Sequence, residues 1–178
     1  MTWVWVVAAL VVLIVVGGWV SWTADRLDRL LHRIEVGRAT LDAHLLRRSG
    51  TALDLATSGL LDPARSLLLL DAAQRARASV PDFESAESAL SESLRAVFAD
   101  AEDVRALREA PEARELVAEL ADDCAKVELA RRFHNNAVVS ARTLRSRRRV
   151  RWLHLRGHAV ELHTVDLDDT PPAALLVG

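Results

Sequence analysis

The sequence predicts an all-α fold: an N-terminal transmembrane helix continuing into a long antiparallel helical bundle, followed by a short irregular C-terminal tail. Three observations carry this reading. The 178 residues include 29 alanines and 29 leucines, two of the strongest helix formers. No glycine occurs between Gly59 and Gly157, and only Pro63, Pro81 and Pro111 interrupt that span. No charged side chain occurs from Thr2 to Ala24, although charged residues make up 27% of the whole. The expected divisions are an anchor at 1–24, a bundle at 25–158 and a tail at 159–178. A single cysteine, Cys124, excludes an internal disulfide framework and any multi-cysteine metal centre. A net charge of −2 argues against a wholly basic nucleic-acid-binding protein.

The anchor reading rests on length. Trp3 to Val20 is almost continuously apolar, and about 20 such residues span a hydrocarbon core of about 30 Å. Trp3 and Trp5 mark one end and Trp19 and Trp22 the other, where indoles favour the headgroup boundary. A cleaved signal peptide would carry a basic n-region, a shorter apolar core and a small-x-small cleavage site. This run has no basic side chain before it and ends in tryptophans. Arg26, Arg29, Arg33 and Arg38 follow the run. The positive-inside rule then places the N-terminus outside and the body in the cytoplasm of a cell membrane. Gly17 and Ser21 form a small-xxx-small pair through which two anchors could associate as a homo-oligomer.

Four helices follow from spacing and breakers. The first continues from the anchor with Leu27, Leu31, Ile34, Leu41 and Leu45 on one stripe, and ends near Ser58-Gly59. Asp62-Pro63 supplies an N-cap and first helical residue for a second helix reaching about Ser79. Pro81-Asp82 opens a third, whose apolar positions run from Phe83 through Ala86, Leu90, Leu94 and Val97 to Leu107 without a break. Pro111 starts the fourth, repeating at Leu116, Leu120, Cys124, Val127 and Ala130 and continuing to about Arg151. Period-two alternation occurs only weakly, around Val160–Leu167. Up-down-up-down order would make helices one and four antiparallel neighbours and return the end of helix four to the membrane.

Charge is segregated along the chain. Asp82 to Asp123 holds 13 acidic and 4 basic residues, while Arg131 to Arg156 holds 9 arginines and no acid. The basic block contains Arg142, Arg145, Arg147, Arg148, Arg149, Arg151 and Arg156, with Trp152 among them. Three fates are open to it. It can be a solvated face paired with the acidic third helix. It can contact the anionic inner leaflet, at about 1 kcal/mol per basic residue near the surface. It can bind a nucleic-acid backbone, giving a membrane-tethered nucleic-acid-binding protein as the alternative function, although no DNA- or RNA-reading motif surrounds it.

The sequence carries no recognisable catalytic apparatus. The phosphate-binding loop, the nucleophile elbow and the H-E-x-x-H helix are all missing. His154 and His158 are four apart, but Gly157 weakens a helix there and no acidic third ligand lies nearby. Asp166, Asp168 and Asp169 lack the glycine and terminal glutamate of a calcium loop. Arg114 to Glu119 matches only a fragment of the Nudix box. His134 reads as a core histidine and Cys124 as a small hydrophobe. The expectation is a non-enzymatic scaffold with no catalytic residue, cofactor or metal, working with the bilayer and an unidentified protein partner.

Two segments resemble the LemA family of bacterial single-pass membrane proteins. Arg33-Ile34 followed by "ATLDAHLLRRS" (Ala39 to Ser49) is similar to the family's pattern after the anchor. The stretch "ARRFHNNAV" (Ala130 to Val138) is similar to its arginine-x-tyrosine-asparagine-aspartate-alanine-valine motif. The tail, "VRWLHLRGHA" with "LDDTPP", is similar to a divergent actinobacterial branch. His134 stands where the family has tyrosine and Asn136 where it has aspartate, and its isoleucine-proline-asparagine-leucine stretch has no match at Thr51–Ser58. The resemblance implies a cytoplasmic helical bundle without catalytic residues. It marks Asp42, Arg47, Arg48, Arg132 and Asn135 as family-typical polar positions. Asp42 or Arg48 pairing with Arg132 or Asn135 would then set the register between helices one and four.

Overall fold

A computed structural model describes residues 2–78, 81–146 and 162–176. Among these the regular structure is entirely helical: α1 (Thr2–Thr57), α2 (Pro63–Ala78), α3 (Phe83–Val97), α4 (Ala101–Glu109), α5 (Pro111–Ser146) and the one-turn α6 (Ala173–Leu176). The helix ends follow local chemistry. Gly59 takes φ +77° just beyond α1, a left-handed conformation that costs glycine little. The Asp62 carboxylate accepts from the amides of Ala64 and Arg65 at 3.0 and 3.1 Å, capping α2. Ala110 is extended, at ψ 121°, because it precedes Pro111.

The expected third helix is two helices. α3 stops at Val97, the amide of Phe98 closes on Leu94, and the Asp100 carboxylate accepts from the amide of Glu102 at 2.8 Å to start α4. An aspartate cap outcompetes the continuous apolar spacing at that point, and Phe98 turns into the core, 2% exposed. Asp82, expected to cap α3, makes no side-chain cap bond.

The chain divides into two compact units, Met1–Val36 with Asn135–Thr164 and Gly37–His134 with Val165–Gly178. In the larger unit the main core gathers Leu55 of α1, Leu69 and alanines of α2, Leu90 and Leu94 of α3, Val104 of α4 and Leu120 of α5. Ala72, Ala73 and Ala76 present only methyl groups, so α2 lies close to its neighbours. A second cluster joins Leu41 and Leu45 to Val127 and Ala130. Gly37 faces His134, and Thr51 bonds to Asp123, so α1 and α5 run antiparallel within this unit, as expected for helices one and four. In the smaller unit Ile34, Val138 and Ala141 form a compact cluster with Leu162 beside it.

From Trp3 to Trp19 every described side chain of α1 is exposed. That run covers about 25 Å at the helical rise. Among the described residues, no helix is long and apolar enough to cross a membrane.

Candidate functional site

Three helices of the larger unit each place a polar residue where their apolar stripe calls for a hydrophobe. On α1 the stripe is Leu41, Leu45, Arg48, Ala52 and Leu55; on α3 it is Phe83, Glu87, Leu90, Leu94 and Val97; on α5 Asp123 sits between Leu120 and Val127. The fold buries all three and pairs two of them, Arg48 with Glu87. Arg48 is 1% exposed, Glu87 4% and Asp123 1%.

Arg48 carries most of the hydrogen bonding. Its Nη2 lies 2.7 Å from Glu87 Oε2 and donates to the Glu87 carbonyl at 3.3 Å, while Nη1 donates to Ser91 Oγ at 3.0 Å. The Ser91 hydroxyl donates onward to the same carbonyl at 3.1 Å. On the α5 side Thr51 Oγ1 donates to Asp123 Oδ2 at 2.8 Å. Arg48 Nε and Asp123 Oδ1 are buried without a hydrogen-bond partner among the described residues. The core therefore buries one guanidinium–carboxylate pair, Arg48 with Glu87, and a further carboxylate, Asp123, bonded to Thr51. Burial pushes the Glu87 carboxyl above its ordinary range, and Arg48 offsets only part of that shift. Burial also pushes the Cys124 thiol up to about 11, so it stays protonated and weakly nucleophilic.

Glu87 also borders an open cleft of about 260 Å³, lined by Arg38, Asp42, Leu45, Ser49, Arg77 and Phe83 among others. The Arg38 guanidinium stacks 4.5 Å from the Phe83 ring centroid and pairs with Asp42. Among the described residues, no group of three or more histidine, cysteine, aspartate or glutamate side chains could hold a metal ion.

Of the polar positions that the LemA resemblance singles out, Arg48 lies in this buried cluster. Its partner is Glu87 of α3, not Arg132 or Asn135 of α5. Asp42 pairs with Arg38 one turn away at 3.0 Å, and Arg132 pairs with Glu128 on its own helix. Arg47 is exposed, and Asn135 is half-buried. The reason is reach and burial: Asp42 and Arg132 are solvent-facing and find partners at i,i+4, whereas Arg48 points inward, where Glu87 is the carboxylate at hand. Thr51 with Asp123 is a polar contact between α1 and α5. Glu87, Ser91, Thr51 and Asp123 were not singled out by sequence, although a charged residue on an apolar stripe was the visible signal for two of them.

Within the arginine block, Arg142 donates through Nε to the Leu162 carbonyl at 2.9 Å, inside the smaller unit. Arg145 lies on the last turn of α5. Arg147, Arg148, Arg149, Arg151, Trp152 and Arg156 lie outside the described residues, as do His154 and His158.

The C-terminal segment is irregular over 162–172, as expected, but it is packed and ends in the one-turn α6. Residues 162–172 form no regular element, yet burial alternates: Val165, Leu167 and Asp169 are buried, and Asp166, Asp168 and Thr170 are exposed. Asp169, 6% exposed, accepts from Arg131 at 2.5 and 2.8 Å. Arg108 donates to the Leu175 carbonyl at 2.8 Å, fixing α6 beside α4.

No protein-family model, curated protein or solved structure matches this chain.

Proposed function

We propose that this chain is a LemA-like, single-pass membrane protein whose helical bundle serves as a non-enzymatic scaffold at the cytoplasmic face of a bacterial membrane. One observation carries the reading. The first half of α1 leaves Trp3 78%, Leu13 70% and Ile14 65% exposed, together with every apolar side chain between them. Exposed apolar surface of this extent marks a membrane or protein contact. The uncharged run in the sequence extends past Trp19 to Ala24, and tryptophans stand at both ends. Arginines on its C-terminal side orient it with the N-terminus outside, and the block from Arg142 to Arg156 meets the anionic inner leaflet. The family assignment rests on the two motifs around Ala39–Ser49 and Ala130–Val138.

The absence of chemistry is part of the proposal. It rests on the high thiol pKa of Cys124 and on the commitment of Arg48 and Glu87 to each other.

Topology tests the reading directly. A single cysteine at the C-terminus, in a Cys124→Ser background, should resist an impermeant thiol reagent in intact cells and react after lysis. Labelling in intact cells, or recovery of the chain in the supernatant after membrane pelleting, would overturn the assignment. Flotation of residues 23–178, which lack the apolar run, with phosphatidylserine vesicles should weaken when Arg147, Arg148 and Arg149 are neutralised. Retention of nucleic acid without lipid dependence would favour the tethering alternative.

A further inference from the structure

Arg77 is a charge without an opposite partner. Standing in the last turn of α2, it donates through Nη1 to the Leu46 carbonyl of α1 at 3.3 Å and makes no ion pair among the described residues. The same Nη1 lies over Gly50, 3.6 Å from where a Cβ would stand. The Leu46 carbonyl also accepts from the Ser49 hydroxyl at 3.0 Å, so it is a shared and partial substitute for a carboxylate.

Glu87 is in the complementary situation. Its Oε2 and its carbonyl accept from Arg48, whereas Oε1 accepts no hydrogen bond among the described residues, on a side chain only 5% exposed. Arg77 and Glu87 both line the open cleft of about 260 Å³, which lies within the larger unit. They enter it from α2 and α3 and contact α1 at Leu46 and Arg48. Those two positions are separated by about 3 Å of helical rise, so the two groups converge on one level of the cleft.

The remaining lining narrows the chemistry of a ligand. Arg38 and Asp42 pair with each other at 3.0 Å and cancel. A simple anion drawn to Arg77 would sit close to the Glu87 carboxylate, and a simple cation drawn to Glu87 would meet Arg77. A molecule carrying an ammonium and a carboxylate a few bonds apart satisfies both with charge-assisted hydrogen bonds. Leu45, Ala76 and Phe83 supply an apolar wall. The Arg38 guanidinium, stacked 4.5 Å from the Phe83 ring centroid, holds that ring in place. The cleft is smaller than the roughly 300–1,000 Å³ of sites for drug-sized ligands, and it suits a single amino acid.

We propose that this cleft binds a free α-amino acid with an apolar side chain. Arg77 holds its carboxylate, Glu87 Oε1 accepts from its ammonium, and Leu45, Ala76 and Phe83 cover the side chain. Glu87 keeps its bond to Arg48 through Oε2, so the ligand adds a donor to a carboxylate that the fold already fixes. The site uses no residue of 1–24 and none of the arginine block, and it does not depend on the membrane reading.

Calorimetric titration of the full chain in detergent micelles with L-leucine and, separately, L-phenylalanine tests the proposal. At least one of them should bind saturably and raise the thermal midpoint of the bundle. The N-acetyl derivative of that amino acid loses the ammonium and its amide loses the carboxylate. Each should bind about tenfold more weakly or worse, the usual worth of a charge-assisted hydrogen bond. Arg77→Gln changes an exposed side chain and leaves the core intact. It should weaken the amino acid about tenfold and leave binding of the amide unchanged. Failure of both amino acids to bind overturns the proposal, as does equal binding of amino acid, N-acetyl derivative and amide. An Arg77→Gln chain of native helicity that binds the amino acid undiminished overturns it too. Tighter binding of the N-acetyl derivative than of the amino acid also overturns it, in favour of a site for simple anions.

Discussion

The two halves of α1 are built from different residues and behave differently. From Trp3 to Trp19 the helix is apolar on all sides and exposes all of it. From Gly37 to Thr57 a single stripe is buried and the opposite face is polar, with Asp42, Arg47 and Asp54 outward. The difference lies in the pattern. An all-round apolar surface has no polar face to leave in water, so one packed neighbour cannot satisfy it. An amphipathic stripe is fully covered by neighbouring helices. The second half also buries Arg48, which a purely apolar helix could not place.

The largest test of this contrast is Arg48→Met. It removes the guanidinium paired with Glu87, leaving that carboxylate buried without its partner, and should cost about 3–5 kcal/mol in chemical denaturation followed by circular dichroism. Adding Glu87→Leu should recover much of that loss, because it removes one buried charge rather than stranding it. A loss under about 1 kcal/mol for Arg48→Met would mean that the cluster is not a strained part of the core.

Next is a matched pair of truncations on the same helix. Leu55 is fully buried, so Leu55→Ala should cost about 3 kcal/mol by opening a cavity. Leu13→Ala, in the exposed half, should leave the denaturation midpoint of the bundle unchanged. Similar losses in both would show that the exposed half packs on protein.

Val11→Arg separates lipid from protein as the covering partner. An arginine at the centre of a spanning helix costs about 3 kcal/mol of insertion, so membrane recovery should fall while bundle stability holds. A drop in bundle stability instead would reverse the contrast.

The smallest effect is on pH dependence. Because burial raises Glu87 above its ordinary 4.5, the folded state holds the proton more tightly than the unfolded chain. Its contribution to stability is therefore greatest below that value and falls as pH rises through the folded pKa. Asp168 has the opposite sign. Burial tends to raise it, but hydrogen bonds from Arg95 and Thr170 prevail and hold it below its ordinary 3.8. Its contribution is present above that value and lost as pH falls toward the folded pKa. With its side chain 41% exposed, it is worth under about 1 kcal/mol. Denaturation midpoints from pH 3 to 8 should show Glu87→Gln flattening the upper limb and Asp168→Asn the lower one.

Much of the bundle was legible because its signals are local. The Asp62-Pro63 start, the Gly59 stop and the Pro111 start all depend on residues within a turn of the boundary. The break between α3 and α4 was concealed by stripe continuity, since Val97, Val104 and Leu107 keep helical spacing across it; the Asp100 cap was the overlooked local clue. The polar cluster was half legible. The LemA resemblance singles out Arg48 but points to a partner on the fourth helix, whereas the visible signal for Glu87 and Asp123 is a charged residue on an apolar stripe.

The sequence by itself determined the helices, their buried stripes and the uncharged apolar run at the N-terminus, because period, capping and hydropathy are properties of neighbouring residues. Tertiary structure alone decided that Arg48 meets Glu87 instead of a residue of α5. It also decided that the weak alternation near Val165 becomes a packed segment whose amides bond to Glu84 and Ser88 of α3. Both depend on which side chains two distant stretches bring within about 3 Å of each other, and spacing along a chain does not encode that distance.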